Sequence, residues 1–420
     1  MIRSTTLIIC CTLIGVLSDS HANAVDVVYR TLIAPSESVR FREINRLSKD
    51  PQRLTQHLDA VTEALLKHGK ECTEERPPEA SSVALCHLLG ELETKASELA
   101  LQTLLQSEYP EIAMLAVGQI GRKKYTDSIP LLNELVDRLE YREDYAYRFQ
   151  VIRALIEMGH ADASEILLRL RSDLDGQLRY HVDTYLEARS VDDFSGDQNR
   201  FKRFTDKLRE PEVNESNAKL VTASGFFSAD SDKPESLERM RLKPQQYYGI
   251  DIHAKRILFI LDHSGSMKDP WYGMPRLDRA KGELIKAIRA LSGDAEFGIV
   301  AFHTRVHQWN DGLVEATEAN KDLAIEFVRS LGFGDRTNTY AALRSALDYD
   351  ADLEAVYLLT DGKPTIGEIV AHQLILADIL HRNRFRHLNL NTIGLAVDGF
   401  TREFLMRLAE DSGGEFRDAR

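Results

Sequence analysis

RILFILDHSGSM, Arg256 to Met267, joins an apolar run to a turn crowded with oxygen. Ile257 to Leu261 is continuously apolar, the pattern of a strand buried on both faces of a sheet. Directly after it, Asp262, Ser264 and Ser266 place an oxygen-bearing side chain on every second residue. In an extended turn, residues at i, i+2 and i+4 point the same way, so the three oxygens can converge. Gly265, between the serines, would let the backbone turn sharply there.

Working outward, the chain from residue 245 alternates strand and helix patterns. RLDRAKGELIKAIRAL, NKDLAIEFVRSL, TYAALRSAL, EIVAHQLILADILHRN and TREFLMRLAEDSG read as helices. AEFGIVAFH, EAVYLLTDG and LNLNTIGLAV read as strands, and GEFRDA as a possible edge strand. This predicts an α/β fold with a doubly wound, mostly parallel sheet over 245–420. Sites in such sheets form beyond the C-terminal ends of the strands. Asp262, Ser264 and Ser266 fall there, as does Asp361 at the end of VYLLTD, and Thr337 opens a helix after GFGDR. Two carboxylates and three hydroxyls, with no thiolate or imidazole, suit Mg²⁺, or Mn²⁺ or Ca²⁺, and disfavour zinc and copper. Mg²⁺ prefers six oxygens and retains waters, so a position can stay open for an outside ligand.

Asp262-His-Ser264-Gly-Ser266, then TNTYAAL with Thr337, then LLTDGKP with Asp361, resembles a von Willebrand factor type A domain with a complete metal-ion-dependent adhesion site. The likeness runs from about Ile250 to the C-terminus. It implies a Rossmann-like fold in which the serine and threonine hydroxyls bind the ion directly or through water. The aspartates act mostly through water, and a partner's Glu or Asp carboxylate often completes the shell. Where the family often has Gly-Gly-Thr-Asn, this chain reads Asp335-Arg336-Thr337-Asn338, which could bring charge of both signs to the rim. His263 should point away from the ion, as a packed or rim residue. His303 and His307 could suit a second metal, but no thiol or carboxylate pattern supports them.

Enzyme motifs are missing. There is no G-x-S-x-G elbow and no G-x-x-x-x-G-K-[ST] loop, and Asp262, His263 and Ser264 are successive residues facing opposite ways. GFGDRT lacks the third glycine of a dinucleotide fingerprint. RNRFRH, Arg382 to His387, reads as charge complementing a helix C-terminus.

Upstream, 25–189 reads as almost wholly helical, an all-α, solenoid-like domain. Helix pairs with glycines at 90, 121 and 159, about 31 and 38 residues apart, resemble HEAT-type repeats; a plain helical bundle is the alternative. Residues 190–244 are polar and aperiodic, a linker with one or two short helices. There RFKRF, Arg200 to Phe204, reads as a solvated helix face, and Asn214 opens a glycosylation sequon.

At the start, TTLIICCTLIGVL is an apolar core too short to span a bilayer, and Ala22 and Ala24 form a small-x-small cleavage pattern. Residues 1–24 are read as a cleaved signal peptide, with an uncleaved anchor as the alternative. No later stretch is apolar enough to span a membrane. Cys72 and Cys86 flank a loop, as a disulfide in an oxidising compartment or as two buried thiols. The net charge of −13 opposes a nucleic-acid surface. The expectation is an exported protein, periplasmic or extracellular. It would hold a divalent cation and a partner's acidic group at the C-terminal domain, with the helical repeats as a second binding surface. Two alternatives stand beside it: the C-terminal domain as a structural module, or a Mg²⁺-dependent enzyme or enzyme subunit. Partner and oligomeric state are not legible.

Overall fold

The computed structural model of the chain describes residues 27–73, 77–210 and 244–419. The signal-peptide segment and Asn214 lie outside them. Contacts divide the chain into two units, one through Tyr125 and one from Thr126. In the first unit, residues 27–32 are helical, followed by α1 (Glu37–Ser48), α2 (Pro51–Gln56), α3 (Leu58–Gly69), α4 (Ala80–Glu91), α5 (Lys95–Leu105) and α6 (Pro110–Lys123). Leu47, Leu65, Leu85, Leu89, Leu101, Leu104 and Ile120 are fully buried there, the apolar stripes that the three- and four-residue spacing predicts. The two cysteines are not bridged. Cys86 is buried within α4, where burial pushes its thiol up to about 12, and Cys72 Sγ donates instead to His68 O at 3.3 Å.

The second unit begins with α7 (Ile129–Leu135), α8 (Leu139–Glu143), α9 (Tyr145–Met158), α10 (Ala161–Leu170), α11 (Gly176–Glu187) and α12 (Gln198–Arg209). RFKRF lies on α12, where Phe204 packs under Phe194 and Arg200 pairs with Asp162 and Glu165. Strands β1 (Gln245–Tyr247) and β2 (Ile250–Ile252) form a small antiparallel ribbon. Then come β3 (Arg256–Asp262), the hairpin β4 (Pro270–Trp271) and β5 (Met274–Pro275), α13 (Arg276–Ala290), β6 (Glu296–Phe302), β7 (Val306–Gln308) and β8 (Val314–Glu315). After these follow α14 (Glu318–Ser330), α15 (Thr339–Leu347), β9 (Ala355–Thr360), α16 (His372–Asn383), β10 (Asn389–Leu395), α17 (Gly399–Glu410) and β11 (Phe416–Ala419).

The main sheet runs β11-β10-β9-β3-β6-β7, with β8 also on β6. Its first five strands are parallel, and β7 and β8 are antiparallel to β6. Side chains alternate across β3. Ile257, Phe259 and Leu261 join a core with α13 and α14, while Leu258 and Ile260 join one with α15, α16 and α17. Helices on both faces explain why β3 and β9 read as unbroken apolar runs. This is the expected architecture: a helical repeat region followed by a doubly wound, mostly parallel sheet.

The last helical repeat is welded to the sheet's N-terminal edge. Glu354, fully buried just before β9, accepts the Gln177 N–H at 2.7 Å and pairs with Arg256 Nη2 at 2.6 Å. Arg256 also pairs with Asp175. Gly176 has φ +54°, and a Cβ there would press on the Glu354 carboxylate, so the position favours glycine. Arg148 reaches Asp352 at 2.8 Å, and the His387 ring stacks on Phe149 with centroids 4.8 Å apart. The basic cluster at the end of α16 therefore does more than complement a helix end. Its last residue is part of this junction.

Candidate metal centre

Strand β3 ends on Asp262, whose side chain is completely buried. One carboxylate oxygen, Oδ1, accepts the Ser264 N–H at 2.8 Å, and Oδ2 accepts the Thr360 hydroxyl. The register of β3 against β9 pairs Leu261 with Leu359, which brings Asp262 beside Thr360 and Asp361. After Asp262 the backbone leaves the strand, and Gly265 to Lys268 form a 3₁₀ turn. Convergence of the oxygens thus comes from a turn and not from extended alternation. Ser264 Oγ and Ser266 Oγ are 3.3 Å apart, and Ser266 Oγ donates to Asp361 Oδ1 at 2.7 Å.

Thr337 is buried just before Asn338, whose side chain caps α15 by accepting the Ala341 N–H. The Thr337 N–H donates to Thr365 Oγ1 at 2.9 Å. A Cβ built on Gly362 would lie 3.4 Å from Ser266 Oγ and 3.9 Å from Thr337 Oγ1, so both hydroxyls face the same space. All five residues singled out in the sequence meet at one edge of the sheet.

Gly265 is needed for space more than for a sharp turn. Its Cβ would lie 2.9 Å from Asp335 O, and its N–H donates to that carbonyl at 3.0 Å. With Gly334 N–H donating to His263 O at 2.7 Å, this clamps the 332–336 loop onto the serine turn. Asp335 therefore contributes a backbone carbonyl, while its side chain and that of Arg336 face solvent. His263 is packed, with Nδ1 donating to Gly332 O at 2.7 Å. His303 Nε2 and His307 Nε2 are 3.3 Å apart. Among the described residues no three His, Cys, Asp or Glu side chains are arranged to hold a metal.

Burial, and then the neighbouring Asp361 charge, push Asp262 up to about 7, against hydrogen bonds from Thr360 and Ser264 that favour its ionised form. Two carboxylates enclosed this closely call for positive charge, and hydroxyl-plus-carboxylate donors fit a hard divalent cation.

Part of that charge is already present. Arg276, the first residue of α13, donates from Nη1 to Asp361 Oδ2 at 2.7 Å. Neither Arg276 nor Thr360 stood out in the sequence. The available signal was an arginine opening a helix, where the helix dipole favours acidic residues.

Residues 257–363 match the von Willebrand factor type A domain, and residues 78–186 match HEAT repeats. The human von Willebrand factor A domain-containing protein 3B is 32% identical over 168 residues, which is 39% of this chain and 12% of that protein. Inter-alpha-trypsin inhibitor heavy chain H1 of Mesocricetus auratus is 30% identical over 167 residues, 37% of this chain and 16% of that protein. The chain thus spans under a fifth of the length of these relatives. Among solved structures, a von Willebrand factor type A protein from Catenulispora acidiphila aligns at TM-score 0.35 and 22% identity, covering 41% of this chain and 40% of that one. Proximal thread matrix protein 1 from the mussel byssus, with a zinc-occupied MIDAS motif, aligns at TM-score 0.31 and 17% identity, covering 39% of this chain and 43% of that one. The chain carries a von Willebrand factor type A domain and HEAT-like repeats.

Proposed function

We propose that the protein is an exported interaction protein that holds a divalent cation, Mg²⁺ or Mn²⁺ or Ca²⁺, on Asp262, Ser264, Ser266, Thr337 and Asp361. The loaded site would capture an Asp or Glu carboxylate of a protein partner, and the helical repeats would supply a second binding surface. One observation carries the reading: two carboxylates and three hydroxyls gather at one buried edge, with Asp262 held up to about 7 by burial and Asp361. The cation would act as a Lewis acid toward the partner's oxygens. Around it, Thr360 and the Ser264 N–H hold Asp262 in place, and Ser266 orients Asp361. The type A relatives and the arrangement of oxygens support an interaction role. Among the described residues no helix is long and apolar enough to cross a membrane.

Isothermal titration of the purified protein with Mg²⁺ and Mn²⁺ tests this, beside Asp262→Ala. Saturable binding that disappears in the variant is expected. Equal binding by both proteins, or none by the wild type, would discard the cation site.

A further inference from the structure

Arg276 begins α13, where the exposed N–H ends of a helix make positive charge unfavourable. Its guanidinium is nevertheless tied to the candidate site. Nη1 lies 2.7 Å from Asp361 Oδ2, with Arg276 17% exposed and the Asp361 carboxylate wholly buried. Asp269 is the other acid within reach, 3.9 Å from the same nitrogen, but it is 65% exposed and so screened by water. Asp361 Oδ1 meanwhile accepts from Ser266. The carboxylate is therefore shared between the hydroxyl cluster on one side and a permanent cation on the other.

The charges can be summed. Asp262 and Asp361 carry two negative charges, which a divalent cation cancels, and Arg276 then leaves the loaded site with one positive charge. Without Arg276 the loaded site would be neutral and would have little attraction for an anion beyond the ion's open coordination position. Arg276 also repels the cation, so it must weaken the hold on metal while strengthening the hold on a carboxylate.

We propose that Arg276 is a specificity-determining residue for the anion: a resident counter-charge that trades cation affinity for carboxylate capture. The proposal rests on the reading that the five oxygens hold a divalent cation. It is tested on the purified protein with Mg²⁺ alone, and then with acetate at saturating Mg²⁺, following Mg²⁺ by calorimetry and acetate by NMR shifts. Arg276→Gln keeps an N–H donor for Asp361 and removes the charge. It should bind Mg²⁺ about threefold to tenfold tighter and acetate weaker by a similar factor. Arg276→Lys keeps the charge and should hold acetate within about twofold of wild type.

Weaker Mg²⁺ binding in Arg276→Gln, with acetate merely following occupancy, would reduce Arg276 to a positioner of Asp361 and overturn the proposal. So would unchanged acetate affinity in a variant that still binds Mg²⁺. If Arg276→Gln does not fold, Arg276→Lys decides, because loss of acetate binding there contradicts the charge argument. A wild type that takes up no Mg²⁺ would remove the underlying cation reading, a separate failure seen before acetate is added.

Discussion

Asp262 concentrates the chemistry of the site in one side chain. Its carboxyl is raised to about 7, above the ordinary value near 4, so in the cation-free protein its contribution to stability is full below about pH 4 and is lost as pH rises through 7. Above that range an ionised, buried carboxylate opposes the fold. Asp262→Asn stays neutral, so the metal-free variant should be roughly 1–3 kcal/mol more stable than wild type at pH 8, with the gap closing toward pH 5. Thermal melts in EDTA at the two pH values check this. A wild type that grows more stable relative to Asp262→Asn as pH rises from 5 to 8 would contradict it. In matched melts with Mg²⁺ in place of EDTA, the wild-type midpoint should rise and that of Asp262→Asn should stay unmoved.

At the scale of elements, the serine turn and the 332–336 loop act as one piece, joined by Gly265 N–H to Asp335 O and Gly334 N–H to His263 O. Gly265→Ala puts a methyl 2.9 Å from the Asp335 carbonyl, and backbone cannot yield as a flexible side chain can. A loss of about 1–3 kcal/mol and a weaker Mg²⁺ response are expected, read from denaturant melts and calorimetry. An unchanged melt would mean that the two loops move independently. Much of this was legible in the residues. Unbroken apolar runs marked β3 and β9, and oxygens just past a strand marked the site, because a parallel sheet gathers its strand ends at one edge. Arg276 and Thr360 were not legible, since their roles depend on which strand lies beside which. The turn that gathers the serines was misread as extended, because alternating oxygens look the same in sequence either way.

Across the second unit, the junction of helices and sheet was the least legible feature. Glu354 meets Gln177 across 177 residues of sequence and Arg256 meets Asp175 across 81, distances over which no local pattern reports. Removing Glu354 takes the acceptor from a buried N–H and one partner from Arg256. Glu354→Ala should cost about 3 kcal/mol, and Glu354→Gln, which keeps an acceptor, should cost less. Early protease cuts between α9 and α12 would reveal the loosened helices, and an unaltered digest would argue against the junction. The same seam should respond to acid. Burial, and then Arg153, hold His387 down to about 3, so its contribution is present above the unfolded value near 6.5 and is lost as pH falls toward 3. Part of the residue reaches solvent, so the effect at pH 5 should be at most about 2 kcal/mol. Asn tolerates the left-handed backbone at this position, φ +53°, so His387→Asn should flatten the acid limb of the melting profile. A variant that keeps the wild-type slope would place the acid sensitivity elsewhere.

Strand β3 carries Arg256 of the junction at one end and Asp262 of the site at the other, about 20 Å apart along seven residues. A partner gripping the site while the helices are held would pull this strand lengthwise. Its hydrogen bonds to β6 and β9 lie across that direction and would be loaded together, in shear, so the sheet is built to bear tension between its two ends instead of unzipping one bond at a time.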